Sequence, residues 1–353
     1  MTIDLVLVGF GNVARRFVRL LDERGDELRR AHGLECRVAG IATRRHGSVC
    51  DLSGLDALAA AAAVEAGGPV APASPAEDAT AFIQRIAEGR RAAGAANPLV
   101  MVETTVLDIR SGRPAIDHVR AALGAGAHVV TANKGPVAFA FDDLSGMARA
   151  AGLGFLFEGA VMDGIPLFNL AARTLPAVGI AGFRGVVNST TNYIISAMEE
   201  GREFGAALAE MQAAGIAEAD ASLDVDGWDA AAKAAALANV LLGARTTPLA
   251  VERTGIGGIG GEAVRSAVAR GRRIKLVARG RRGPCGPRVS VGPEELPAGD
   301  LLAGLQGQQN AVILETELLE DLAIVQLGGG LTQTAYALLS DLVALRSALR
   351  GPL

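Results

Sequence analysis

The chain has 353 residues, half of them apolar and a fifth charged, with a formal net charge of −4. That length carries two domains with cores of their own, and the weakly acidic balance gives no electrostatic reason to expect nucleic acid or an anionic membrane as a partner. No apolar run reaches the roughly 18 uncharged residues of a membrane span, and the N-terminus lacks the basic, apolar, small-residue order of a signal peptide, so a cytoplasmic protein is expected.

Ile3 to Val8 is a short β-rich run that leads into Gly9-Phe10-Gly11-Asn12-Val13-Ala14 and then an amphipathic stretch with Val13, Phe17, Leu20 and Leu21 on one side. That is strand, glycine turn, helix. Gly-x-Gly-x-x-Ala lets the backbone turn tightly and approach a pyrophosphate lying on the helix N-terminus, which makes Gly9, Phe10, Gly11, Asn12 and Val13 candidates for dinucleotide binding. Glycines also mark ordinary strand-to-helix turns; the weight comes from the position at the first strand of an α/β chain. A second strand, Arg37 to Thr43, ends in Thr43-Arg44-Arg45. NAD-selective proteins place an acid there for the ribose 2′-hydroxyl; Arg44 and Arg45 suit a 2′-phosphate instead, so NADP is expected over NAD, unless the arginines are merely solvated. Residues 56 to 97, rich in Ala, Gly and Pro, read as a helix and variable loops.

Leu99 to Thr105 and His128 to Gly135 read as buried parallel strands ending in polar residues. Ligands of open α/β sheets bind outside the carboxyl ends of the strands, which places Thr104, Asn133 and Lys134 at the nicotinamide end of a cofactor. A strand-capping lysine is also often only solvated. At Phe155 to Pro166 a strand runs into an acidic, glycine-containing loop and then a helix that Pro166 can start; Glu158 there suits either backbone N–H groups or a cation. Gly182 to Tyr193 is a strand followed by a turn capping a helix from Ile194 to Glu200, with five polar residues in a row where a cap needs fewer.

Residues 218 to 233 put a run of carboxylates ahead of one lysine. From Trp228 onward alanine and leucine dominate and nothing breaks the helix, so Asp229 and Lys233 stand at i and i+4 on one face. A surface ion pair is one reading. The other is a site: in a segment with almost no other polar residue, a desolvated lysine beside carboxylates can transfer protons near neutrality. Residues 182–187, 273–278 and 310–326 are expected to build a second sheet with an open edge, covered in a homodimer, and Gly280 to Gly299 reads as a lengthened surface loop. Cys36, Cys50 and Cys285, and His32, His46, His118 and His128, show no metal-ligand spacing.

The chain resembles homoserine dehydrogenases. The resemblance rests on the glycine fingerprint, Ala132-Asn133-Lys134, Phe157-Glu158-Gly159-Ala160-Val161, Asn188 to Ile194, Gly215-Ile216-Ala217-Glu218-Ala219-Asp220, Asp224-Val225-Asp226-Gly227-Trp228-Asp229 through Lys233, and Gly328 to Ala335 with Ser340-Asp341-Leu342, in the family's order over most of the chain. It implies an NAD(P)-dependent enzyme of threonine, methionine and isoleucine biosynthesis that reduces L-aspartate 4-semialdehyde to L-homoserine. Lys233 would be the proton donor, Lys134 would sit close to nicotinamide and substrate, and Glu218 and Asp229 would hold the amino acid, with Asp224 supporting Lys233. Gly215 and Gly330 would lie near the cofactor, and Glu158 with the carbonyls of Val161, Asp163 and Ile165 would match a sodium site. Met162 and Asp163 depart from the glycine-rich turn of many members and add a side chain and a charge there. No regulatory module is expected, and so no threonine feedback through one.

The architecture expected is α/β: a Rossmann-type nucleotide domain over residues 1–155, a substrate and dimerisation domain over 156–315, and a segment 316–353 returning to the first. A dehydrogenase for a related small amino-acid aldehyde and a non-catalytic NADP-binding sensor remain as alternatives; retention of both lysines and the acids weighs against the sensor.

Overall fold

The computed structural model describes residues 1–72, 74–213 and 221–349. The chain divides into two compact units, one of Met1–Pro136, Ala140–Pro166 and Gly330–Leu353, the other of Val137–Phe139 and Leu167–Gly329. Among the described residues no helix is long and apolar enough to cross a membrane.

The first unit is built on six strands, β1 (Thr2–Val8), β2 (Glu35–Ala42), β3 (Ser48–Cys50), β4 (Leu99–Glu103), β5 (His128–Thr131) and β6 (Phe155–Leu156), in the order β3-β2-β1-β4-β5-β6. All pairings are parallel except the β2–β3 hairpin. Alternate residues of β1 feed opposite faces: Ile3, Leu5 and Leu7 join a core with Phe17, Leu338 and Leu342, whereas Val6 and Val8 join one with Phe82, Ile86 and Met101. A sheet buried on both faces is what near-continuous apolar strands require. The first face is covered by helices Asn12–Glu23 and Leu331–Leu349, tied by a hydrogen bond from Arg16 Nε to Thr332 Oγ1 of 3.0 Å.

The second unit holds β7 (Ile180–Val186), β8 (Glu252–Arg253), β9 (Arg272–Arg281), β10 (Arg288–Pro297), β11 (Asn310–Thr316) and β12 (Asp321–Gln326), ordered β12-β11-β7-β9-β10-β8 and antiparallel except at β8. Helix Trp228–Leu242 packs on β9 and β10. Its run of alanines, almost all buried, lets the helix lie close on the sheet.

Three sequence expectations are corrected. Residues 56–97 contain two helices rather than one, Ala57–Glu65 and Ala79–Ala92, each started by an aspartate, Asp56 or Asp78, accepting backbone N–H groups. Gly280 to Gly299 is mostly part of the hairpin β9–β10 rather than a loop: Val289 and Val291 are buried, and Arg279, just before the segment, pairs across the strands with Glu294. The helix expected from Ile194 begins at Ser189, because Asn188 Oδ1 accepts the Thr191 N–H and caps it.

Candidate active site

In the first unit the glycine turn closes as its sequence requires. Gly9 has φ +85°, and a Cβ on it would meet the Thr104 backbone at 2.8 Å, whereas a Cβ on Gly11 would meet nothing within 4 Å. Gly9 is therefore needed for the turn, and Gly11 leaves open space where a phosphate approaches a helix N-terminus. Phe10 is buried as an anchor, and Arg15, unremarked in the sequence, clamps the turn by donating to Phe10 O at 3.1 Å and Asn12 Oδ1 at 2.7 Å. Val13, on the first turn of the helix, packs against the core.

β2 ends at Ala42, whose carbonyl accepts the Gly9 N–H at 2.9 Å. Thr43, Arg44 and Arg45 thus follow the strand directly, beside the glycine turn, with both arginines exposed. Thr104, just past β4, donates from Oγ1 to Gly9 O at 3.0 Å. Asn133 caps the next helix, accepting the Gly135 N–H at 2.8 Å, and Lys134 is that helix's first residue. Gly9, Thr104 and Asn133 accordingly meet at the carboxyl ends of β1, β4 and β5, where an open α/β sheet binds its ligand.

Glu158 is buried in a short 3₁₀ turn and its N–H donates to Asp341 Oδ2 at 2.9 Å. Asp163 has φ +49°, and its Oδ1 accepts from Thr334 Oγ1 at 2.9 Å. Val161 is buried and the Ile165 N–H donates to Met162 O at 3.0 Å, closing the loop. Gly330 precedes helix Leu331–Leu349 and its carbonyl accepts the Thr334 N–H at 3.0 Å. No cluster of three or more His, Cys, Asp or Glu able to hold a metal occurs among the described residues. A cleft of about 520 Å³ opens in this unit beside Leu20, Arg24, His32 and Tyr336, with Ile165, Thr332, Gln333 and Ser340 on its wall and none of the proposed proton-transfer or dinucleotide residues.

The second unit gathers Lys233, Asn188, Asp224 and Asp229. Lys233 Nζ donates to Val187 O at 2.6 Å and pairs with Asp229 Oδ2 at 3.1 Å, the lysine side chain 14% exposed. Asn188 Nδ2 bridges Asp224 Oδ1 at 2.7 Å and Asp229 Oδ2 at 2.9 Å. Burial and the neighbouring Asp229 push the Asp224 carboxyl above its ordinary range, against hydrogen bonds from Asn188 and Thr190 and the charge of Lys233. Gly227, at φ +80°, turns the chain so that Asp229 and Lys233 enter the helix on one face. The sequence places Asn188 in a polar cap and in the family's motif without a role of its own; five polar residues in a row are the signal that it does more. Gly215 and Glu218 lie outside the described residues.

Residues 9–158 match the family model of the NAD binding domain of homoserine dehydrogenase and residues 166–343 that of homoserine dehydrogenase itself. Among curated relatives, an NAD(+)-dependent homoserine dehydrogenase of Pseudomonas canavaninivorans is 35% identical over 340 residues, 96% of this chain and 95% of that one. A homoserine dehydrogenase of Methanocaldococcus jannaschii is also 35% identical, over 96% of this chain and 97% of its own. Among solved structures, a hyperthermophilic archaeal homoserine dehydrogenase in complex with NADPH superposes with a TM-score of 0.81 at 27% identity, covering 100% of this chain and 99% of that one.

Proposed function

The chain belongs to the homoserine dehydrogenase family of NAD(P)-dependent oxidoreductases, and on that premise we propose that it reduces L-aspartate 4-semialdehyde to L-homoserine with Lys233 as the proton donor. The observation that carries the proposal is the position of Lys233 between Val187 O and Asp229. An ammonium has three N–H donors; these two acceptors take two and fix the axis of the third. A bound reduced nicotinamide would supply the hydride. The aldehyde oxygen then gains a pair of electrons and needs a proton, which Lys233 can deliver to it as the C–O bond becomes an alcohol. In the reverse direction the neutral amine accepts that proton.

Asp229 pairs with Lys233 and, with Asp224 and Glu218, gives the substrate ammonium its counter-charges. Asn188 keeps the two aspartates at a fixed separation by donating one N–H to each. Lys134 contributes a second positive charge for the developing alkoxide, which lowers the barrier if it is preorganised.

The residues of the first unit fit a dinucleotide: Gly11 leaves open space at a helix start, and Gly9, Phe10, Asn12, Val13, Thr104 and Gly330 are its proposed contacts, with Gly215 proposed from the family resemblance alone. One relative is named for NAD(+) and one structure holds NADPH, so the choice falls to local residues. Arg44 and Arg45, exposed and directly after β2, favour NADP. For sodium, the proposed donors are the buried Glu158 carboxylate and the carbonyls of Val161, Asp163 and Ile165, hard oxygens of the kind such an ion takes. A homodimer is proposed from the second sheet, whose edge strand β12 carries Leu322, Ile324 and Val325 beside exposed Leu327. The test of the reaction is turnover of the semialdehyde by wild type and its loss in Lys233→Ala.

A further inference from the structure

Glu103, at the end of β4, is fully buried and has no part in the roles assigned so far. Its Oε1 accepts the Thr105 N–H at 3.0 Å and the Thr105 hydroxyl as well. Its Oε2 accepts from Thr131 Oγ1 at 3.1 Å. Thr131 Oγ1 in turn accepts the Asn133 N–H at 3.0 Å, and Asn133 Nδ2 donates back to Thr105 O at 2.9 Å. The bonds close a ring: Glu103 to Thr105, Thr105 to Asn133, Asn133 to Thr131, Thr131 to Glu103.

The ring joins the turn that carries Thr104 to the turn that carries Lys134. Thr104 reaches the Gly9 carbonyl, and Asn133 Oδ1 caps the helix that Lys134 begins. Burying a carboxylate is costly unless donors compensate it. An apolar side chain would fill this space at lower cost, but a planar, two-ended polar group hydrogen-bonds both turns at once. We propose that Glu103 is a positioning residue for the cofactor: its carboxylate sets the spacing of the two strand-end turns and so holds Thr104 and Lys134 in register at the nicotinamide end. This rests on the reading of that end as the cofactor site.

The test pairs three variants with direct titration of NADPH and NADH by their fluorescence and with steady-state kinetics. Glu103→Ala removes the hub. Thr131→Val, nearly isosteric, removes one strut and covers the case in which Glu103→Ala does not fold. Glu103→Gln keeps the shape, one amide end accepting from Thr105 and the other donating to Thr131 Oγ1. We expect Kd and KM for the reduced cofactor to rise about tenfold in the first two, with KM for the semialdehyde unchanged and with most of the loss recovered in Glu103→Gln. Folded variants with wild-type cofactor Kd, or with both KM values raised alike, would overturn the proposal. Wild type that binds neither nucleotide would overturn the site reading beneath it, and the wild-type arm separates that failure from the first.

Discussion

Lys233 would be an unremarkable helical lysine were its ammonium solvated; in the proposed mechanism the pairing of Asp229 and a backbone carbonyl around a half-buried nitrogen aims its remaining N–H along one direction. Lys233→Ala is expected to lower kcat by about 10²- to 10⁴-fold, the range that a positioned general acid supplies, with cofactor affinity retained. Asn188→Ala should leave two carboxylates facing each other without their shared donor and lower kcat/KM by about tenfold or more, which the same assay reads. Asp224 offers a stability test. Its folded pKa lies above the unfolded one, so the folded state holds the proton more tightly and its ionisation costs stability as pH rises through those values. Asp224→Asn should therefore raise the melting temperature at pH 7 while lowering activity, and the stability difference from wild type should shrink as the pH falls below about 4, where both states protonate the aspartate. No rise at pH 7 would contradict the burial argument. For Arg44 and Arg45, replacing both with serine should raise Kd for NADPH by at least about tenfold and leave that for NADH nearly unchanged.

At the scale of elements, what was legible in the sequence is what one segment can encode. The strand–turn–helix at Gly9, the β2 end at Arg44 and Arg45, and the Asp229–Lys233 spacing each follow from local pattern, and the structure draws them that way. The first strand of the β9–β10 hairpin was legible at residues 273–278, but its return strand was not, because its pairing, including Arg279 with Glu294, runs between strands and is invisible along the chain. Asn188 was half legible: its capping role is local, but its bridge reaches residues 36 and 41 positions away. Edge strand β12 has alternating half-buried and exposed residues over most of its length and, among the described residues, no strand on its outer side. If a second copy covers it, Ile324→Lys should shift the sedimentation coefficient toward a monomer at micromolar concentration. A wild-type monomer under the same conditions would contradict the dimer.

For the whole molecule, the two units divide the work by chemistry. On the proposed reading, one presents glycine turn, arginines and strand ends to a nucleotide, and the other presents carboxylates and a proton donor to a small charged substrate. Rossmann-type sheets alone serve many reactions; the assignment to one depends on the second unit, where Asn188 bridges Asp224 and Asp229 and Lys233 pairs with Asp229. The most direct measurement is oxidation of NADPH by wild-type protein with L-aspartate 4-semialdehyde, followed through the absorbance of the reduced nicotinamide, beside NADH and beside folded Lys233→Ala. The account predicts turnover by wild type, faster with NADPH at low cofactor concentration, and its near-complete loss in the variant. Wild type that binds NADPH yet turns over no semialdehyde, or a variant as active as wild type, would contradict it.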